Sequence, residues 1–222
     1  MAIYNLSKSF TWQGKITDKV ASVCRMFGLT VERLKQPKTY TCEIDIRTGD
    51  IVYITGPSGS GKSVLMSELE KAVPAQERIS LAQIPLPENK TVIDCISAGT
   101  LLDSLRLLGI AGLNDVFCIL NQPGNLSESE KYRFRLAIAL ASKKKFVFAD
   151  EFCSELDRIS AASVSFRLRR FIDKTKVTFI LASSHEDILL DLSPDVLVTR
   201  DLSGSTTVVY KDTGRVCNAH RY

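Results

Sequence analysis

Residues 56–63 read Gly-Pro-Ser-Gly-Ser-Gly-Lys-Ser and follow the apolar run Ile51-Val52-Tyr53-Ile54. A strand, a glycine-rich loop and then a helix is the context in which backbone amides converge on an anion. Gly56, Gly59 and Gly61 let the chain curl with no Cβ in the way, and Pro57, Ser58 and Ser60 fill the loop between them. Lys62 is spaced to reach β- and γ-phosphates and the Ser63 hydroxyl to hold Mg²⁺. Val64 then starts the helix whose positive end faces the phosphates. The segment implies a nucleoside triphosphate site.

Three further positions have chemistry to offer. Asp150-Glu151 follows the apolar run 146–149, where one carboxylate can hold Mg²⁺ and its neighbour can polarise an attacking water. Asp150 is assigned to the metal and Glu151 to the general base. Gln83 follows a short apolar stretch, and its neutral amide can touch Mg²⁺ or the water without adding charge. His185 ends the run from Phe179 to Ser184 and can donate to a γ-phosphate as charge grows on its oxygens.

The elements that must position these groups alternate between strand and helix. A short strand and turn run to Gly14, one helix is predicted over 16–35 up to Pro37, and Tyr40 to Ile46 alternates as a strand. The helix after the phosphate loop ends near Pro74, and residues 79–83 read as a strand closed by Pro85 and Pro87. From 91 to 140 the pattern is helical. Leu101, Leu102, Leu105 and Leu108 form one face, Gly109 and Gly112 interrupt it, and a second helix starts near Ser127. Lys143-Lys144-Lys145 is a solvated turn before the buried strand 146–149, and helix 158–173 with strand 177–182 adds another α/β unit. Strands at 196–198 and 206–210 precede a loose tail of about a dozen residues. This is an α/β protein: a P-loop NTPase core on a mostly parallel sheet, with a small N-terminal β region and an inserted helical subdomain. Residues 1–222 are expected to form a single domain, with a helical insertion over about 16–36 and a helical lobe over about 92–142. Ligands of such sheets bind at the carboxyl ends of the strands, where the candidate residues fall.

Bulk composition narrows the class. A net charge of +4 (29 Lys and Arg against 25 Asp and Glu) gives no reason to expect nucleic acid. The six cysteines, at 24, 42, 95, 118, 153 and 217, are scattered without a CxxC pair, as suits reduced thiols rather than a disulfide framework or zinc site. No stretch approaches the roughly 18 apolar residues of a membrane span, and the N-terminus lacks the features of a signal peptide, so a cytoplasmic location is expected. Any action at a membrane would come through a partner subunit.

Taken in order, the motifs resemble the ATP-binding cassette (ABC) ATPases. Residues 56–63 match the family's Walker A loop, and Gln83-Ile84-Pro85 its Q-loop. Leu126-Ser127-Glu128-Ser129-Glu130 stands at the LSGGQ signature, in a register supported by Arg133, Leu136-Ala137 and Ala139-Leu140. Asp150-Glu151 matches the end of Walker B, 154–157 the D-loop and His185 the switch histidine. The resemblance implies ATP and Mg²⁺ as ligands, with hydrolysis to ADP and phosphate. It also implies a head-to-tail homodimer in which Ser127, Ser129 and Glu130 of one copy face the nucleotide held by the other.

Departures from the family pattern carry expectations too. Glu128 and Ser129 replace the signature glycines, which predicts slow turnover, and Phe152-Cys153 replaces Pro-Thr. Gln83 comes early after Lys62, as in a shortened first lobe. For the aromatic that the family stacks on adenine, Trp12 is the first candidate and Tyr40 the second. The insertion, with Met26-Phe27-Gly28-Leu29, resembles a soluble branch of ABC ATPases, some linked to GNAT-type acetyltransferases. An ATP-driven dimer clamp on a soluble partner is therefore the first expectation. The alternatives are the nucleotide-binding subunit of a membrane transporter, with 85–94 at its docking position, or a non-hydrolytic switch. A DNA-repair role would need a coiled coil that is absent here, leaving only Arg167-Leu168-Arg169-Arg170 with Lys174 and Lys176 for nucleic acid. A small-molecule kinase would leave 154–157 and His185 unexplained.

Overall fold

The computed structural model describes residues 2–211. All but Lys211 of the expected tail, Cys217 and His220 included, falls outside them.

Two strands, β1 (Ala2–Phe10) and β2 (Lys38–Ile46), pair antiparallel from Ala2 against Ile46 to Phe10 against Lys38. Between them lie two helices, α1 (Asp18–Met26) and α2 (Val31–Lys35), where the sequence predicted one. The chain stops at Gly28 in the left-handed region (φ +64°). Gly28 N–H donates to Arg25 O, and Leu29 N–H to Cys24 O at 2.8 Å, the paired bonds of a Schellman end. Thr30 then caps α2 by accepting from Arg33 N–H at 3.2 Å. The expected apolar face does not turn inward either: only Cys24 of α1 is buried, while Met26 is 82% and Phe27 76% exposed.

The central sheet holds β3 (Ile51–Thr55), β4 (Arg78–Ser80), β5 (Phe146–Ala149), β6 (Thr178–Ala182), β7 (Val196–Arg200) and β8 (Thr206–Tyr210). Their spatial order is β4-β5-β6-β3-β7-β8, parallel throughout except for the last pair. Every residue of β3 and β6 is buried, as their continuous apolar runs require of strands covered on both faces. The stretch read as a strand over 79–83 leaves the sheet after Ser80. Leu81–Gln83 forms a 3₁₀ turn closed by Ile84 N–H on Leu81 O, which swings Gln83 away from the strand direction.

Helices cover the sheet: α3 (Lys62–Ala72), α4 (Leu101–Ile110), α5 (Val116–Leu120), α6 (Glu128–Ala141), α7 (Arg158–Thr175) and α8 (Leu189–Leu192). One core packs Leu65 and Leu69 of α3 with Ile44 and Leu6 against Val52 and Ile54. The other joins Phe134 and Leu136 of α6, Leu168 of α7 and Leu108 of α4 to Val147, Phe179 and Tyr53. Each such side chain, once fully buried, contributes about 1.5–3 kcal/mol. The leucine face expected on α4 is split: Leu108 is buried with Ser104 one turn before it, whereas Leu101 is 68% exposed and Leu102 and Leu105 are also exposed. The basic run on α7 is tied down within the fold. Arg167 donates to Gly109 O, and Arg169 pairs with Asp173 and with Asp195 at 2.7 Å.

Candidate nucleotide site

The carboxyl ends of β3, β5 and β6 meet at one edge and enclose a cleft of about 610 Å³, within the size range of small-molecule sites. Its floor is the phosphate loop. Gly56 must be glycine: φ is +142°, and a Cβ there would lie 2.1 Å from Arg200 O. Gly61 begins α3 in the left-handed conformation (φ +91°) with no side-chain cap, so the first-turn amides of the helix face the loop. Ser60 N–H donates to Pro57 O, closing the turn. Lys62 Nζ donates to Gly56 O at 2.7 Å and Pro57 O at 3.1 Å, folded over the loop it would serve.

Ser58, Gly59, Gly61, Lys62, Ser63 and Val64 line the cleft. Gly56 and Pro57 instead line a second cavity behind the loop, and Ser60 is buried. Opposite the loop stand Asp150 and Glu151, with Ser154 and Glu155 beyond them. The turn that presents them is unusual: Glu151 (φ +50°) and Cys153 (φ +61°) are both left-handed without being glycine. Such residues cost on the order of 1–3 kcal/mol each and need packing to hold them. Phe152 between them supplies it, being fully buried with its N–H on Ala182 O at 2.8 Å. Asp150 Oδ1 accepts from Glu151 N–H at 3.0 Å. Downstream, Asp157 caps α7 by accepting from the Ile159 and Ser160 amides, and the Ser160 contacts hold its carboxyl below the usual range.

The segment after β6 contributes Ser183 and Ser184 to the lining, but not His185. The imidazole is 48% exposed, with Nδ1 4.0 Å from an Asp187 oxygen. Its backbone is pinned: the buried Tyr53 hydroxyl, its pKa pushed up to about 12 by burial, donates to His185 O, and His185 N–H donates to Ser183 Oγ.

Gln83 also stands off the cleft, with Nε2 3.2 Å from Glu70 Oε1. Trp12 does not line it: a Cβ on Gly14 would lie 2.3 Å from the Trp12 ring, so the indole is folded onto its own turn. Two other aromatics do line it, Phe10 at the end of β1 and Tyr40 in β2, edge to face with ring centres 5.9 Å apart. Tyr40 also touches the loop, since a Cβ on Gly61 would meet its ring at 3.2 Å. Phe10 was the residue missed; its signal was an aromatic at the end of the first strand, which lies diagonally across from Tyr40, the partner of Lys8.

Ser127, Ser129 and Glu130 lie outside the cleft, at the start of α6. Ser127 caps that helix in a full capping box: its Oγ accepts from Glu130 N–H, and Glu130 Oε2 accepts from Ser127 N–H at 2.8 Å. Glu130 Oε1 accepts from the Cys118 thiol at 3.0 Å, which with the Ser127 bonds holds the carboxyl below its usual range. The same contact, helped by burial, pushes Cys118 up to about 11. Glu128 pairs with Lys131 at 2.8 Å.

For Mg²⁺ the donors fit: the Ser63 hydroxyl and the Asp150 carboxylate line one cleft and are the hard oxygens this ion prefers. Among the described residues no cluster of three or more His, Cys, Asp or Glu is arranged to hold a metal by itself, so the remaining ligands would be water and phosphate.

In fold and in the order of its motifs the chain is similar to the ATP-binding cassettes of ABC transporters. No family model matches it. Among curated proteins it is 26% identical over 216 residues to the methionine import ATP-binding protein MetN of Mannheimia succiniciproducens, covering 81% of this chain and 61% of that protein. It is 29% identical over 175 residues to the aliphatic sulfonates import ATP-binding protein SsuB of Delftia acidovorans, covering 71% of each. The chain thus spans less than two thirds of the MetN relatives, 56% in the case of a second one from Pectobacterium atrosepticum. Among solved structures, one chain of the dimeric structure of the bacterial ABC transporter cassette MJ0796 superposes with TM-score 0.59 at 17% identity, over 75% of this chain and 89% of that one. The same cassette in a post-hydrolysis state with ADP and phosphate gives 0.58. No helix among the described residues is long and apolar enough to cross a membrane.

Proposed function

We propose that this chain binds ATP with Mg²⁺ and hydrolyses it to ADP and phosphate as half of a head-to-tail dimer. The observation that carries the reading is the meeting of Lys62, Ser63, Asp150 and Glu151 around one cleft, with Tyr40 and Phe10 on its rim. Lys62 exchanges the loop carbonyls for the β- and γ-phosphates, and the first-turn amides of α3 bind the same anion. Mg²⁺, held by Ser63 and Asp150, supplies neutralising charge. Glu151 takes a proton from the attacking water, and His185, moved inward from the rim of the cleft, donates to the γ-phosphate. Gln83 reaches the site on release from Glu70. Ser127 and Ser129 of the second copy complete the site from across the dimer, so ATP closes the pair and hydrolysis opens it. Glu128 and Ser129 in place of the signature glycines, the first adding negative charge beside the γ-phosphate, make turnover slow.

A cytoplasmic clamp on a protein partner is the reading we favour. A second is the nucleotide-binding subunit of an importer, supported by relatives named as import ATP-binding proteins and by exposed Leu101, Leu102 and Phe117 on the helical lobe. The test is phosphate release from Mg-ATP by the full chain beside Lys62→Ala. Release that falls at least tenfold in the variant supports the reading; equal release from both overturns it.

A further inference from the structure

We propose that Arg200 is a positioning residue of the nucleotide site: a buried cation behind the phosphate loop that holds the loop and Tyr40 in register and lends both its charge. The proposal rests on the nucleotide reading above and deepens it by naming what supports the base and polyphosphate from behind. Arg200 ends β7 and is fully buried, the largest such side chain described. It touches the site three times. Its carbonyl oxygen occupies the space a Cβ on Gly56 would need. Its Nε donates to Ser60 O at 3.0 Å, the carbonyl in the middle of the loop. Its guanidinium lies over the Tyr40 ring, 4.7 Å from the centre, while Tyr40 itself faces the cleft and packs on Gly61.

The charge balance of this residue points to a ligand. Nη2 reaches only Gly204 O, at 3.5 Å, and Nη1 has no partner. No carboxylate forms an ion pair with it among the described residues. Glu186 and Asp201 line the same cavity behind the loop, but Asp201 is turned to Ser203 and Ser205. Withdrawing a cation from water without a counter-charge is unfavourable, and a tyrosine face repays only part of it. A polyphosphate on the opposite side of the loop supplies the missing negative charge, and an aromatic base against Tyr40 uses the ring that the guanidinium fixes. Arg200 therefore links affinity for the phosphates to recognition of the base.

The experiment measures binding of Mg-ATP and of Mg-tripolyphosphate, which has no base, to the full chain by calorimetry, with ligand-free melting alongside. Replacing a buried charge that has no counter-ion by an apolar side chain of similar length relieves a desolvation cost, which offsets the loss of its bonds to Ser60 O and Gly204 O. Arg200→Met is thus expected to melt no lower than the natural chain while binding both ligands about tenfold more weakly. Arg200→Lys restores tripolyphosphate binding but not the added affinity of ATP, because an ammonium does not stack flat on Tyr40. Unchanged affinities in Arg200→Met, or a lowered melting point with tripolyphosphate affinity intact, overturn the proposal. Should Arg200→Met fail to fold, Arg200→Lys with the natural preference for ATP over tripolyphosphate overturns it as well. An unaltered chain that binds neither ligand overturns the nucleotide reading and this proposal together.

Discussion

The hydroxyl of Tyr132, on the helix that Ser127 caps, accepts from the backbone N–H of Cys153 at 3.1 Å. α6 is thereby bonded directly to the strained turn that presents Glu151. In the proposed dimer Ser127 reads the partner's nucleotide, so whatever shifts α6 also pulls on Glu151, the proposed general base. The bond explains how a left-handed Cys153 keeps its amide satisfied.

Tyr132→Phe removes the acceptor and leaves a buried N–H unpaired, at about 1–3 kcal/mol. Turnover should fall severalfold while the affinity for ATP stays within about twofold, because the phosphate loop is untouched. Urea melts and steady-state phosphate release measure the two effects. A loss of affinity equal to the loss of turnover would show that the bond acts on the whole fold and not on the base.

Glu130 gives a pH signature. Its folded pKa lies below the usual 4.5 because Cys118 and the Ser127 groups bond the ionised carboxylate. A group with a depressed folded pKa stabilises above its unfolded value and loses that contribution as pH falls through the folded one. The contribution should therefore be complete at neutral pH and be lost below 4.5, as pH falls through the depressed folded value. Glu130→Gln should melt lower at pH 7 than the natural chain, with the gap closing on acidification. A gap that stays constant from pH 7 down to pH 3 would contradict the assignment.

Much of the architecture was legible because the sequence states it twice, in period and in punctuation. The continuous apolar runs at 51–54, 146–149 and 178–182 are buried strands, and the carboxylates and serines after them reach one edge as parallel topology demands. What misled was local. Gly28 followed by Thr30 is a stop and a start signal inside an apolar period that itself runs on past both. Leu101, Leu102 and Leu105 carry helical spacing yet face solvent, since periodicity reports an apolar face and not what covers it. Arg200 gave no sign at all, because nothing in a charged residue at the end of a strand says that it turns inward.

The aromatic rim separates the two readings of the base platform. Tyr40→Leu should weaken ATP binding about threefold to tenfold, while Trp12→Phe should leave it unchanged. Trp12 is the sole tryptophan of the chain and stands off the cleft, so its fluorescence should respond little to ATP. Strong quenching by ATP, together with weakened binding in Trp12→Phe, would move the platform to the indole.

The central claim is a composite site completed by a second copy, and the solution mass of Glu151→Gln by light scattering tests it most directly. Without its general base the protein should hold ATP unhydrolysed. The account predicts a monomer in buffer and with Mg-ADP that doubles in mass with Mg-ATP, and reverts when Ser127 is also changed to Arg. A chain that stays monomeric at saturating Mg-ATP would contradict it.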